Sequence, residues 1–135
     1  MYLLDTNIVS ELRKPKPHGG VVAWVESIPD EDLHISAVSI GEIQRGVEQL
    51  TREGHLDKAS QIEIWLDQVA STLNVLPMDA EAFRIHAKLM SRQSDTVYED
   101  AMIAATALQL KLTVVTRNVG DFKRFDVPLF NPFNS

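Results

Sequence analysis

Tyr2-Leu3-Leu4-Asp5-Thr6-Asn7 is the stretch on which the reading of this chain turns. Three apolar residues make a short buried strand, which ends on a carboxylate. Asp5, Thr6 and Asn7 are helix-capping types, and Ile8, Val9 and Leu12 then recur at helical spacing. A strand passing directly into a helix through a polar junction is the first half of a strand–helix–strand unit.

The pattern repeats down the chain. Leu33 to Ser36 is a predicted strand, after which Ile40, Ile43, Val47 and Leu50 form a helical stripe. Asp57 to Leu73 reads as a helix with Ile62, Trp65, Leu66 and Val69 inward, and Asn74 to Leu76 as a brief strand. Asp79 caps a helix carrying Phe83, Ala87 and Met90, and Ser91 to Val97 is a polar connector. Ala101 to Leu110 is small and apolar enough to be a buried helix. Leu112 to Val115 is a strand closed by Thr116-Arg117-Asn118, with a helical turn near Asp121 and a last strand around Val127 to Phe130. The clear break is Arg13-Lys14-Pro15-Lys16-Pro17-His18-Gly19-Gly20, an exposed loop before a short helix from Val21 to Ser27. Alternating strands and helices imply an α/β fold: one domain over residues 1–135, with a short central parallel β-sheet flanked by helices in three layers.

Composition bounds the function classes. No cysteine is present among 135 residues, which excludes disulfide and thiolate chemistry and suits a reducing, cytoplasmic setting. No apolar run approaches the roughly 20 residues of a membrane span, and no basic-then-apolar leader opens the chain. The net charge is −6, which argues against a broad basic face gripping nucleic acid. It leaves open a site where clustered carboxylates hold divalent cations and so reverse the local sign.

Parallel sheets bind ligands beyond the carboxyl ends of their strands, and that rule selects among the nineteen acids. Asp5 ends the first strand, where the ordinary alternative is a plain helix cap, with Thr6 and Asn7 as competing cap formers that free it to point outward. Glu42 lies a turn into the next helix; Ser39-x-x-Glu42 also fits a capping box, and Gly41 beside it suits a close approach of backbone or ligand. Asp100 opens the buried helix in line with Ile103, Ala104 and Ala107, which leaves Glu99 as a solvent-facing first-turn charge. Asp121 follows the loop after the fourth strand, with a second cap as its ordinary reading, and Asp126 reads as a turn residue. Four carboxylates on one rim repel one another, and Mg²⁺ or Mn²⁺ with oxygen ligands relieves the repulsion. Setting those four aside takes the net charge from −6 to −2. His18, His34, His55 and His86 are scattered without metal-ligand spacing, and no P-loop, dinucleotide or nucleophile-elbow motif occurs.

These residues resemble the PIN-domain family, and within it the VapC and FitB-like toxins of bacterial toxin–antitoxin pairs. The resemblance rests on Leu4-Asp5-Thr6-Asn7, Ser39-x-x-Glu42, Glu99 to Ala107 and Val115-Thr116-Arg117-Asn118-x-x-Asp121-Phe122. It implies a PIN-like three-layer sandwich and a metal-dependent endoribonuclease. Asp5, Glu42, Asp100 and Asp121 fall on the family's acidic positions, and Thr6, Asn7 and Thr116 on polar positions that steady the site. By the same resemblance, Asp5 and Asp100 are the core ligands of Mg²⁺, with Mn²⁺ as substitute. Glu42 completes the shell or orients the attacking water, and Asp121 acts through water. Arg117, otherwise an exposed loop base, is a candidate RNA-phosphate contact.

The resemblance also implies partners: a small antitoxin whose C-terminal tail covers the site, and a second copy of the chain in a homodimer within a larger complex. Promoter DNA is reached only through the antitoxin. Trp24, Trp65 and Ile64 are candidate contact residues. One departure stands out, since the family often has glycine before the fourth strand where this chain has Leu110-Lys111-Leu112. Three rivals remain: a PIN-like module acting only by protein or RNA contact, a phosphatase or receiver domain, and a processing nuclease of the same fold. The receiver and phosphatase patterns are missing, and the compact length favours the toxin over the processing enzyme.

Overall fold

A computed structural model describes residues 1–134. Five strands are joined by seven helices: β1 Tyr2–Leu4, α1 Thr6–Arg13, α2 Gly19–Ser27, β2 Leu33–Ser36, α3 Ala37–Arg52, α4 Leu56–Thr72, β3 Asn74–Leu76, α5 Ala80–Met90, α6 Tyr98–Leu110, β4 Thr113–Val115, α7 Val119–Phe122 and β5 Leu129–Phe130. The strands form one all-parallel sheet in the order β3-β2-β1-β4-β5. The chain builds outward from β1 on one side and returns to β1's other edge with β4. The boundary between β1 and β4 is therefore a topological switch point, where parallel sheets open a crevice.

Alternation along the central strands makes the three layers. Leu3 and Val114 are buried against Ala101, Ile103, Ala104 and Phe122 on one face. Leu4 and Val115 point to the other face, with Ile8, Val9, Val21 and Val69. The row of small residues in α6 lets that helix lie close on the sheet; Ala101, Ala104, Ala105 and Ala107 are all fully buried.

Four local features differ from what the sequence predicts. Asp5 itself caps α1, its Oδ1 accepting from the Thr6 backbone N–H at 2.8 Å, so the neighbouring cap formers do not displace it. Ser36, not Ser39, caps α3, and Ser39 is buried inside the helix. That removes the capping-box reading of Glu42. Phe83 and Ala87 face outward on α5, whose buried residues are Ala82 and His86. His86 Nε2 donates to the Tyr98 carbonyl, 3.0 Å away, and its ring meets Tyr98 edge-on. Trp24 is no surface anchor, since it packs between Tyr2 and Phe130 at centroid distances of 4.9 and 5.1 Å.

Lys111 closes α6 in the left-handed conformation, φ 57° and ψ 48°, and Leu112 N–H then reaches the Ala107 carbonyl at 2.9 Å. This is the position at which the sequence lacks a glycine. Among the described residues no helix is long and apolar enough to cross a membrane.

Candidate active site

The candidate acids lie toward the carboxyl ends of β1 and β4, close enough to feel one another's charge. Asp5 follows β1 directly and is only 6% exposed. Its Oδ2 accepts from the Thr116 hydroxyl at 2.8 Å and from the Asn7 amide at 3.0 Å, while Oδ1 is held by the Thr6 N–H. Each of these partners comes from a residue at the same rim. Asn7 in turn accepts from the Arg117 backbone N–H at 3.3 Å, and the Thr116 oxygen accepts from Asn118 N–H at 2.9 Å. Thr6, Asn7 and Thr116 thus fix the carboxylate and the loop after β4 as one unit.

Thr6 also connects the site to α3. Its hydroxyl lies 2.7 Å from Ser39 Oγ and 3.1 Å from Glu42 Oε1. A helix that had Ser39 as its cap would present Glu42 to its own backbone. With Ser36 as cap, Glu42 sits in the second turn and meets Thr6 instead.

The acids feel one another's charge. Burial raises the Asp5 carboxyl above its ordinary range and Asp121 adds to the rise, against the hydrogen bonds from Thr116 and the Thr6 N–H. Asp100 is pushed up to about 6, chiefly by burial and then by the charges of Asp5, Asp121 and Glu99, with Arg124 opposing. Glu42 is pushed up to about 7 by burial and by Glu99, while Thr6 opposes. A positive charge placed among these carboxyls would offset both the burial and the like charge that displace them upward. Asp121 is exposed on α7 and takes part through its charge.

A model of the family described as PIN domain matches residues 2–128. The chain belongs to the PIN-domain family. Toxin FitB of Neisseria gonorrhoeae is 37% identical over 99% of both chains. A VapC ribonuclease, Y4jK of Sinorhizobium fredii, is 33% identical over 98% of each. The crystal structure of FitAcB from N. gonorrhoeae superposes with a TM-score of 0.86 at 36% identity, each chain covered completely.

In this PIN domain the donors facing the rim are all oxygens, and their charges repel. That chemistry fits a hard divalent cation that keeps part of its water. Among the described residues no three acids or histidines stand preassembled around one metal position. The donors instead come from separate elements: Asp5 after β1, Glu42 on α3, Asp100 on α6 and Asp121 on α7.

Glu99 is the residue that the sequence reading misplaced. It is half-buried, forms an ion pair with Arg45 of α3, and raises Glu42 through its charge and a hydrogen bond. Glu99 and Asp100 are not alternatives: the first turn of α6 places Asp100 toward Asp5 and Glu99 toward α3. The missed signal was Arg45, three residues after Glu42 and hence one turn along the same face. Gly41 has open space around it; an added Cβ would meet nothing within 4 Å, so no close backbone approach explains it.

A groove of about 470 Å³ runs from Thr6 and Glu42 between α1, α3 and α4 to Trp65. Arg13 lies over the Trp65 ring, 5.9 Å from its centroid. Ile64, the residue before Trp65 on α4, is exposed.

Proposed function

We propose that this chain is a Mg²⁺- or Mn²⁺-dependent endoribonuclease, the toxin half of a cytoplasmic toxin–antitoxin pair. The observation that carries the reading is the group of mutually repelling acids at the β1–β4 switch point of a PIN domain. The names of its relatives, a toxin and a VapC ribonuclease, support the activity and its biological setting.

Asp5 and Asp100 would hold the cation, with Glu42 and Asp121 completing its surroundings. When bound, the cation neutralises the carboxylates, polarises a phosphodiester and lowers the pKa of its water ligands. The chain's own part is positioning and proton handling. Thr116, Asn7 and the Thr6 N–H hold Asp5 in one orientation. Glu42 has an affinity for protons near neutrality and is fixed at Oε1 by Thr6, so it can orient an attacking water and take its proton.

An antitoxin tail would lie along the groove, its apolar side chains against Ile43, Val47 and Trp65 and a basic one toward Glu42. Arginine is the residue suited to that end, because its fork matches a carboxylate. The complex would contain two copies of this chain, and promoter DNA would be bound by the antitoxin.

The dispersed donor set favours a second reading, a binding module without catalysis. Purified protein incubated with single-stranded RNA separates the two. Cleavage that requires Mg²⁺ or Mn²⁺, stops in excess chelator and is lost in Asp5→Ala and Asp100→Ala is the expected result. Equal cleavage in chelator, or in both variants, overturns the mechanism; no cleavage with either metal favours the binding module.

A further inference from the structure

We infer that Arg117, backed by Phe133 and His18, forms a phosphate-binding subsite for single-stranded RNA beside the acid cluster. The inference rests on the nuclease reading for its substrate class, while the side chains that form the subsite lie outside the acid set. The Arg117 guanidinium carbon lies 4.6 Å from the centroid of the Phe133 ring. The His18 ring lies 4.9 Å from the same ring, tilted by 53°. A cation is thus stacked on an aromatic platform at the rim where Asp5 sits.

The backbone around this stack is tied to the site. Arg117 N–H donates to Asn7, which holds Asp5, and the Arg117 carbonyl accepts from the Asn131 amide at 3.4 Å. Asn131 Oδ1 then accepts from Phe133 N–H at 2.9 Å. The final turn at residues 132–134 is clipped to the loop after β4, which brings the Phe133 ring beneath the guanidinium carbon. A stacked guanidinium keeps its N–H edges available in its own plane, which is the geometry for bidentate contact with a phosphate.

Three other bases have partners of their own. Arg45 is paired with Glu99, Arg124 reaches Gln93, and Lys14 holds Glu11 at 2.9 Å. Among the described residues the Arg117 side chain makes no hydrogen bond; only its backbone does. A polyanion approaching a rim of carboxylates needs a fixed positive group to offset the repulsion at its flanking phosphates. Arg117 is exposed, held in place and adjacent, and nothing in the assembly of the acids requires it.

Affinity for a labelled, mixed-sequence single-stranded oligoribonucleotide, measured across a salt series in chelator, tests this directly, with kcat and KM then taken in Mg²⁺. Arg117→Gln is expected to weaken binding about tenfold and to flatten the log–log salt slope by about 0.7, the release expected for one single-strand phosphate. KM should rise with kcat little changed. Arg117→Lys should keep the slope and lose part of the affinity, and Phe133→Leu should do the same by removing the platform. Wild-type affinity and slope in Arg117→Gln overturn the subsite, as does a wild type with no salt-dependent RNA binding. RNA binding that depends on Arg117 without any cleavage in Mg²⁺ or Mn²⁺ overturns the nuclease reading and leaves the subsite standing. Cleavage with unaltered KM in Arg117→Gln does the reverse.

Discussion

Thr116 and Asp5 stand 111 residues apart in the chain and 2.8 Å apart in the fold, hydroxyl to carboxylate. The contact crosses the boundary between β1 and β4, where the sheet reverses its direction of growth. It is the link that turns a buried, unfavourably placed carboxylate into an oriented one.

Replacing Thr116 by valine keeps the shape and removes the donor. Asp5 loses a bond that favours its ionised form, so its carboxyl rises further above its ordinary range. Cleavage at pH 7 is expected to fall at least tenfold, since a hydrogen bond to a charged group contributes about 1.5–3 kcal/mol. Thr116→Ser should retain most of the activity. Equal rates for the valine and serine variants in a fixed-metal assay would show that the bond has no part in positioning Asp5.

Glu99 acts on Glu42 across the gap between α6 and α3. Its charge and hydrogen bond help push Glu42 up to about 7, so Glu99→Gln should let Glu42 ionise at lower pH. If Glu42 works as the carboxylate, the acid limb of the kcat/KM profile moves to lower pH in this variant. A limb that stays in place, or moves upward, would remove Glu42 from the proton-handling role.

The elements legible in the sequence were those with a strong period or a strong junction. β1, β2, β4 and the helices α1, α3, α4 and α6 follow from apolar spacing, the place of Asp5 follows from a strand end, and those of Glu42 and Asp100 follow from the starts of their helices. What could not be read was direction around a helix start and contact across the sheet. Glu99 and Asp100 are neighbours in sequence, and only the packing of α6 against α3 shows that they serve different partners. Phe83 satisfies a helical period but faces outward, because His86 takes the buried side of α5 through its bond to the Tyr98 carbonyl. Phe133 lies beyond the last strand, in a segment with no period to mark it, and gains meaning only through Arg117.

Lys111 occupies a left-handed position at the end of α6 that glycine adopts without a Cβ clash. Its side chain is exposed, so Lys111→Gly removes little packing. The variant should be more stable by about 0.5–1 kcal/mol, after the larger chain entropy of glycine is set against the relieved strain. Thermal or urea unfolding reads this directly, and a destabilised Lys111→Gly would mean that the lysine side chain contributes more than its strain costs.

The upward-shifted acids make stability depend on pH in a definite direction. Asp100, at about 6, and Glu42, at about 7, hold protons in the folded state that the unfolded chain releases near 3.8 and 4.5. Raising the pH through that window favours the unfolded chain, so the metal-free protein should be more stable near pH 5 than near pH 7.5. Asp100→Asn should raise Tm at pH 7.5 in chelator, and raise it by a smaller amount at pH 5. Mg²⁺ or Mn²⁺ should raise the wild-type Tm at pH 7.5, where the carboxylates are charged and repel, and do so far less at pH 5, where protons already occupy them. A metal effect equal at both pH values, or one that survives intact in an Asp5→Asn/Asp100→Asn double variant, would place the bound cation somewhere other than this rim.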